Sequence, residues 1–292
     1  MIRKLFISAT ALLLLVLTTA ADAAYPGKNG RIVYQVDQSA QSMKPSGKDR
    51  VRLAKGNVSE PSVSPDARHV LFTRDPHHTS GVEDIWVMRA NGSHRKQLTS
   101  GKGNDSGPAF SPDGRRIAFS RSGTLWIMDA AGTHQRKLAH DRGGLYDPAF
   151  APHGRTLVAD GAGRGLFSVR LRDGHLEQLT DGRDYDPDFS PDGERIVFDA
   201  YRDTTETTEL YVANADGSDV TRLTDDEHSD IGPVFSPDGK RIAFTHFTTS
   251  RLVGEDADIK EEGARVTVID ADGGGAEELK PGFGPSWAPK AR

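Results

Sequence analysis

Five times this chain repeats one twelve-residue pattern, and no other feature constrains its fold as strongly. The copies are PSVSPDARHVLF from Pro61, PAFSPDGRRIAF from Pro108, PAFAPHGRTLVA from Pro148, PDFSPDGERIVF from Pro187 and PVFSPDGKRIAF from Pro233. A sixth copy starts as PSWAPKAR at Pro285 and stops at Arg292, and RIVY at 31–34 supplies the part it lacks. Successive prolines lie 39 to 52 residues apart, the period of a four-stranded propeller blade and well above that of the shortest solenoid repeats. Six units, one of them split between the two ends, predict an all-β, six-bladed β-propeller. Its ring is closed by pairing of the N- and C-terminal strands, a Velcro closure.

Each copy encodes a hairpin. In PAFSPDGRRIAF, Ser111-Pro112-Asp113-Gly114 separates two runs that alternate polar and apolar. Proline presets φ at the second turn position, aspartate suits the third, and glycine accepts the positive φ that closes the turn. Pro108 opens the first strand, where a missing N–H is tolerated only if that edge faces the channel. Blades crowd near the channel, so the residue after each of these prolines should be small; Ser62, Ala109, Ala149 and Ser286 comply, Val234 is tolerable, and Asp188 breaks the rule. A third strand (LWIMDA from Leu125) and a fourth (RKLA from Arg136) complete a blade. One such sheet buries too little apolar area to offset its conformational entropy, so the blades must stack. Three departures mark weaker corners: Ala67 for the turn glycine, His153 for the turn aspartate, and Ala159 where other copies have phenylalanine.

Composition narrows the setting. Arg3 and Lys4 precede an apolar run from Leu5 to Leu17, and Ala21-Asp22-Ala23 offers a small-x-small cleavage pattern. Residues 1–23 therefore read as a signal peptide, and 24–292 as one propeller domain. The run is shorter than the roughly 20 residues a spanning helix needs, so no membrane insertion is expected after cleavage. With no cysteines, structural disulfides and a lipidated N-terminal cysteine are excluded. The expected location is the bacterial periplasm or the medium, secreted. A net charge of -5 with mixed signs leaves no basic footprint for nucleic acid. A closed ring needs no second subunit, so a monomer is expected.

The pattern P-x-[FW]-S-P-D-G-x-x-I-A-F, followed by a D-G turn and L-T, resembles the repeat of the TolB-like bacterial β-propellers, distant cousins of WD40-like repeats. The resemblance runs over residues 31 to 292. It implies the propeller fold, and it implies capture of protein segments at the channel mouth, where calcium can also sit. The α/β domain that precedes the propeller in the family's type member is not expected in this chain.

Function is expected on the face that carries the insertions, at 75–84, 201–209 and 246–265. The loops that lead into each first strand carry an acid: Glu60, Asp105, Asp147, Asp186 and Asp230, with Asp188 one step further in. Like charges around a narrow opening raise one another's pKa, so a cation such as Ca2+ or a basic peptide is the natural guest. No cofactor is required. Tyr146 and Tyr185, each before an Asp-Pro, add aromatic contact area. Asp before Pro equally serves as a local turn former, and both readings of these acids remain open. The leading expectation is a non-enzymatic propeller that binds a protein or peptide at this mouth. The alternative is a metal-dependent lyase or hydrolase of a sugar acid or lactone. It draws on His77, His78, His140, His228 and His246, none of which shows the close spacing of a zinc motif.

Overall fold

The computed structural model describes residues 25–75, 82–101, 103–202, 207–253 and 258–290. Within them the chain forms six four-stranded antiparallel sheets and one two-stranded hairpin. We number the blades 1 to 6 by their innermost strands: Ser59–Val63, Asp105–Phe110, Tyr146–Phe150, Arg183–Phe189, Asp230–Phe235 and Phe283–Pro289. The second strands are His69–Arg74, Arg116–Arg121, Thr156–Asp160, Arg195–Tyr201, Arg241–His246 and, in blade 6, Asn29–Val36. Each innermost strand packs on the next, and the last on the first, so the ring is closed. No described helix is long and apolar enough to cross a membrane.

Closure follows the repeat. Trp287 lies opposite Ile32 and Ser286 opposite Val33. In the uninterrupted blade 2 the equivalent pairs are Phe110 with Ile117 and Ala109 with Ala118. The split copy thus reassembles in the register of the intact ones, using strands from opposite ends of the chain. Arg292 and the expected signal peptide lie outside the described residues.

The S-P-D-G turns behave as their chemistry requires. Ser111 Oγ donates to Asp113 Oδ1 at 2.5 Å and accepts from the Arg116 N–H at 2.9 Å. Ser64, Ser190 and Ser236 repeat both contacts in blades 1, 4 and 5. In blade 3 the aspartate is His153, whose Nδ1 accepts the Arg155 N–H at 3.1 Å in its place. Ala67 occupies the glycine position at φ 57°, a left-handed conformation in which its Cβ is strained. Ala159 is fully buried and lies opposite Phe167 of the third strand, the place that Trp126 takes opposite Phe119 in blade 2. Phe72, Phe119, Phe198 and Phe244 fill the matching position elsewhere, as stacking of blades that are each too thin to stand alone demands.

On the turn face, Tyr25 donates its hydroxyl to the Phe110 carbonyl at 2.9 Å, and the Gly27 N–H reaches the Pro237 carbonyl at 2.9 Å. These partners belong to blades 2 and 5, on opposite sides of the ring. The segment between them therefore lies across that end of the channel. The insertion in blade 5 carries the extra hairpin, Thr249–Val253 with Asp258–Glu262.

Candidate functional site at the channel mouth

The residue before each first-strand proline has a positive φ in all six blades: Glu60 49°, Gly107 57°, Asp147 44°, Asp186 47°, Gly232 61° and Gly284 59°. The pairing between first and second strands shifts register at each of these places. A bulge of this kind bends the strand and re-aims a side chain. Glycine adopts the conformation freely. For an acid it costs about 1–2 kcal/mol, and the following proline disfavours it further. Blades 1, 3 and 4 nevertheless place carboxylates there. Strain held at named positions is a pointer to function.

Those three acids converge. The charges acting on Asp147 include Asp186, Asp160 and Glu60. Glu60 Oε2 accepts the Gly107 N–H of blade 2 at 2.8 Å. Asp147 is hydrogen-bonded to Asp160, and Asp186 to Asp199. Asp199 also accepts the Gly232 N–H of blade 5 at 2.9 Å. All five carboxylates are 5% exposed or less. Burial, reinforced by the Asp186 charge, raises the Asp147 pKa well above the usual carboxylate range. Burial likewise lifts Asp160 to about 6, against the Ala162 N–H that favours its ionised form. Asp199 is lifted to about 7 by burial, with Asp160 adding to the effect. Burial and mutual repulsion therefore disfavour full ionisation of the cluster unless a positive charge lies beside it.

Asp160 and Asp199 were not among the acids expected from sequence. They stand at the second-strand position held by Thr73, Ser120 and Thr245 in blades 1, 2 and 5, opposite the residue just before each bulge. Their signal in the sequence is the polar residue that follows each apolar triplet, as in LVAD and IVFD.

Asp105 and Asp230 are displaced from the collar by two residues, because Gly107 and Gly232 hold the bulge in their blades. Asp105 forms a two-pronged ion pair with Arg121, at 2.6 and 2.8 Å. Asp184, the equivalent acid in blade 4, pairs with Arg202 at 2.5 and 2.9 Å. Asp230 instead contacts His246 Nδ1 at 2.8 Å. Asp188 is fully buried and binds the Phe235 N–H of the next blade at 2.8 Å, so its carboxylate ties two innermost strands together. This is why an acid is tolerated where a small residue was expected. Tyr146 and Tyr185 are half-buried. Tyr185 meets Tyr201 edge-on with ring centroids 6.5 Å apart. His77 and His78 lie outside the described residues. A groove of about 790 Å3 lies away from these acids, on the turn face, lined by Pro26, Pro65, Asp66, Pro112 and Pro289 among others.

Comparisons with known proteins agree with this architecture. The family profile described as the TolB beta propeller domain matches residues 38–186 and 120–292. The crystal structure of TolB from Acinetobacter baumannii superposes with a TM-score of 0.71 at 20% identity, covering 89% of this chain and 67% of that one. A TolB-assigned structure from Agrobacterium tumefaciens gives 0.67 at 20% identity, covering 88% and 91%. An oligogalacturonate lyase from Vibrio parahaemolyticus gives 0.52 at 16% identity, covering 88% and 85%. Among curated proteins no match is found. Repeat, ring closure and profile together place the chain in the TolB β-propeller family.

Proposed function

We propose that this is an exported, non-enzymatic propeller that binds a protein or peptide partner of the cell envelope or medium at the acidic mouth of its channel. The observation that carries the reading is the convergence of Glu60, Asp147, Asp160, Asp186 and Asp199, three of them held in a strained backbone conformation. A lysine, arginine or terminal amine of a partner supplies the countercharge this cluster lacks within itself, and the low-dielectric walls focus its field outward. Export is supported by the pattern of residues 1–23.

The donor set also fits calcium, which takes six to eight oxygen ligands. Asp147 Oδ1 is buried and has no hydrogen-bond partner among the described residues. Asp147, Asp160, Asp186 and Asp199 would hold the ion, whose chemistry is to supply fixed positive charge at the mouth.

The test is affinity capture from an envelope or culture extract with the wild-type chain and with a variant carrying Glu60→Gln, Asp147→Asn and Asp186→Asn. The neutral amides preserve shape and relieve repulsion, so the variant folds. Expected is at least a tenfold loss of the captured partner, with capture by the wild type weakening as salt rises. Equal capture by both chains overturns the proposal.

A further inference from the structure

Blade 5 departs from blades 2 and 4 in how it satisfies its first-strand acid. Asp105 and Asp184 each meet a guanidinium, whereas Asp230 meets the imidazole of His246, which occupies the place of Arg121 opposite its acid. Around that pair the loop ahead of the strand brings one more donor, Asp226, and a neighbouring imidazole, His228. Asp226 Oδ1 accepts the His228 N–H at 2.8 Å, while its Oδ2 lies 3.8 Å from His246 Nδ1. The His228 ring sits edge-on to His246 with centroids 5.8 Å apart.

Two buried atoms here have no hydrogen-bond partner among the described residues: Asp230 Oδ2 and His228 Nδ1. The Thr224 hydroxyl is close enough to favour the ionised form of Asp230, yet it donates its single proton to Glu209 at 2.8 Å. Asp230 is only 1% exposed, and native proteins rarely leave such atoms unsatisfied without a ligand to complete them. The donor atoms of Asp226, Asp230 and His246 all lie within 4.8 Å of one another. A tetrahedral zinc centre with bonds near 2.0–2.1 Å separates its donors by about 3.4 Å. The 2.8 Å and 3.8 Å separations at His246 Nδ1 bracket that value.

We propose that Asp226, Asp230 and His246 form a binding site for a borderline divalent cation of the zinc type, three protein ligands that leave the fourth position of the metal open. Mixed imidazole and carboxylate donors select this class over calcium or magnesium, which take oxygen ligands. Asp226 is half-exposed and provides the entry path. The site lies where the loop from the outer strand of blade 4 meets the first two strands of blade 5, and it shares no residue with the Glu60, Asp147, Asp160, Asp186 and Asp199 cluster.

The experiment uses the full chain stripped with chelator and dialysed, titrated calorimetrically with Zn2+ and separately with Ca2+. Co2+ is added as a spectroscopic probe, because its visible absorption reports low coordination number and nitrogen ligation. Expected are one Zn2+ per chain and a cobalt spectrum that zinc abolishes. His246→Arg should weaken zinc binding at least 100-fold while leaving the metal-free melting temperature near wild type, since arginine does the same structural task at position 121. Asp226→Asn, on an exposed loop, should weaken binding at least tenfold and serves if the arginine variant folds poorly. Absence of stoichiometric zinc, unchanged binding in either variant, or equal affinity for Ca2+ overturns the proposal.

Discussion

Asp188 Oδ2 accepts the backbone N–H of Phe235 across the boundary between blades 4 and 5, at 2.8 Å. Ser286 Oγ performs the same task for the Val63 N–H across the boundary between blades 6 and 1, at 3.0 Å. The two residues occupy the same position after their prolines, so a polar side chain there acts as a clamp between innermost strands. Asp188→Ala strands a buried donor and should cost about 1–3 kcal/mol. Asp188→Ser should recover part of that. Urea unfolding midpoints of the two variants check this, and equal midpoints for Ala and wild type would discount the clamp.

Stability should fall as pH rises through the range in which the mouth acids titrate. Unfolded aspartate titrates near 3.9, whereas Asp160 and Asp199 are raised to about 6 and about 7. Folding therefore takes up protons between about pH 4 and 7, and the stability these groups supply below that window is lost as pH climbs through it. Asp199→Asn keeps an acceptor for the Gly232 N–H and removes the charge. It should stabilise the protein by about 1–3 kcal/mol at pH 8 and by little at pH 5. Thermal melts at the two pH values decide the matter; a gain of the same size at both would point to packing rather than charge.

The first S-P-D turn ends on Ala67 at φ 57°, where Gly114, Gly154, Gly193 and Gly239 end the turns of blades 2 to 5. Ala67→Gly relieves the Cβ clash of about 1–2 kcal/mol but loosens the unfolded chain by about 0.4–1 kcal/mol. A net gain of about 0–1.6 kcal/mol is expected from chemical denaturation. A loss would show that the alanine methyl has a packing role that outweighs the strain.

Arg121 covers a carboxylate that is 1% exposed. Arg121→Ala leaves Asp105 buried and uncompensated, at an expected cost of about 3–5 kcal/mol. Removing both partners, with Asp105→Ala added, should cost clearly less than the sum of the single changes. A double-mutant cycle by denaturant unfolding measures the coupling, and simple additivity would mean that the pair contributes only as packing.

The repeat carried the architecture because its signals are local. A turn of Ser-Pro-Asp-Gly specifies its own φ angles, and two-residue alternation specifies which face of a strand is buried. Repetition at a blade-sized period then leaves stacking in a ring as the way to bury those faces. The split sixth copy even encoded the register of closure, since Trp287 and Ile32 are paired as Phe110 and Ile117 are. Glu60, Asp147 and Asp186 were equally legible, each standing directly before its proline.

What only the tertiary structure decided is which acids meet. Asp105 and Asp230 look equivalent to Asp147 in a linear reading, yet glycine holds the bulge in their blades and each acid, two residues earlier, pairs across to the second strand. Asp160 and Asp199 join the cluster from a different strand, and Asp226 meets His246 over twenty residues of chain. Such encounters depend on how neighbouring blades pack around the axis, and their pKa shifts depend on the water that packing excludes. Neither is a property of any segment taken alone.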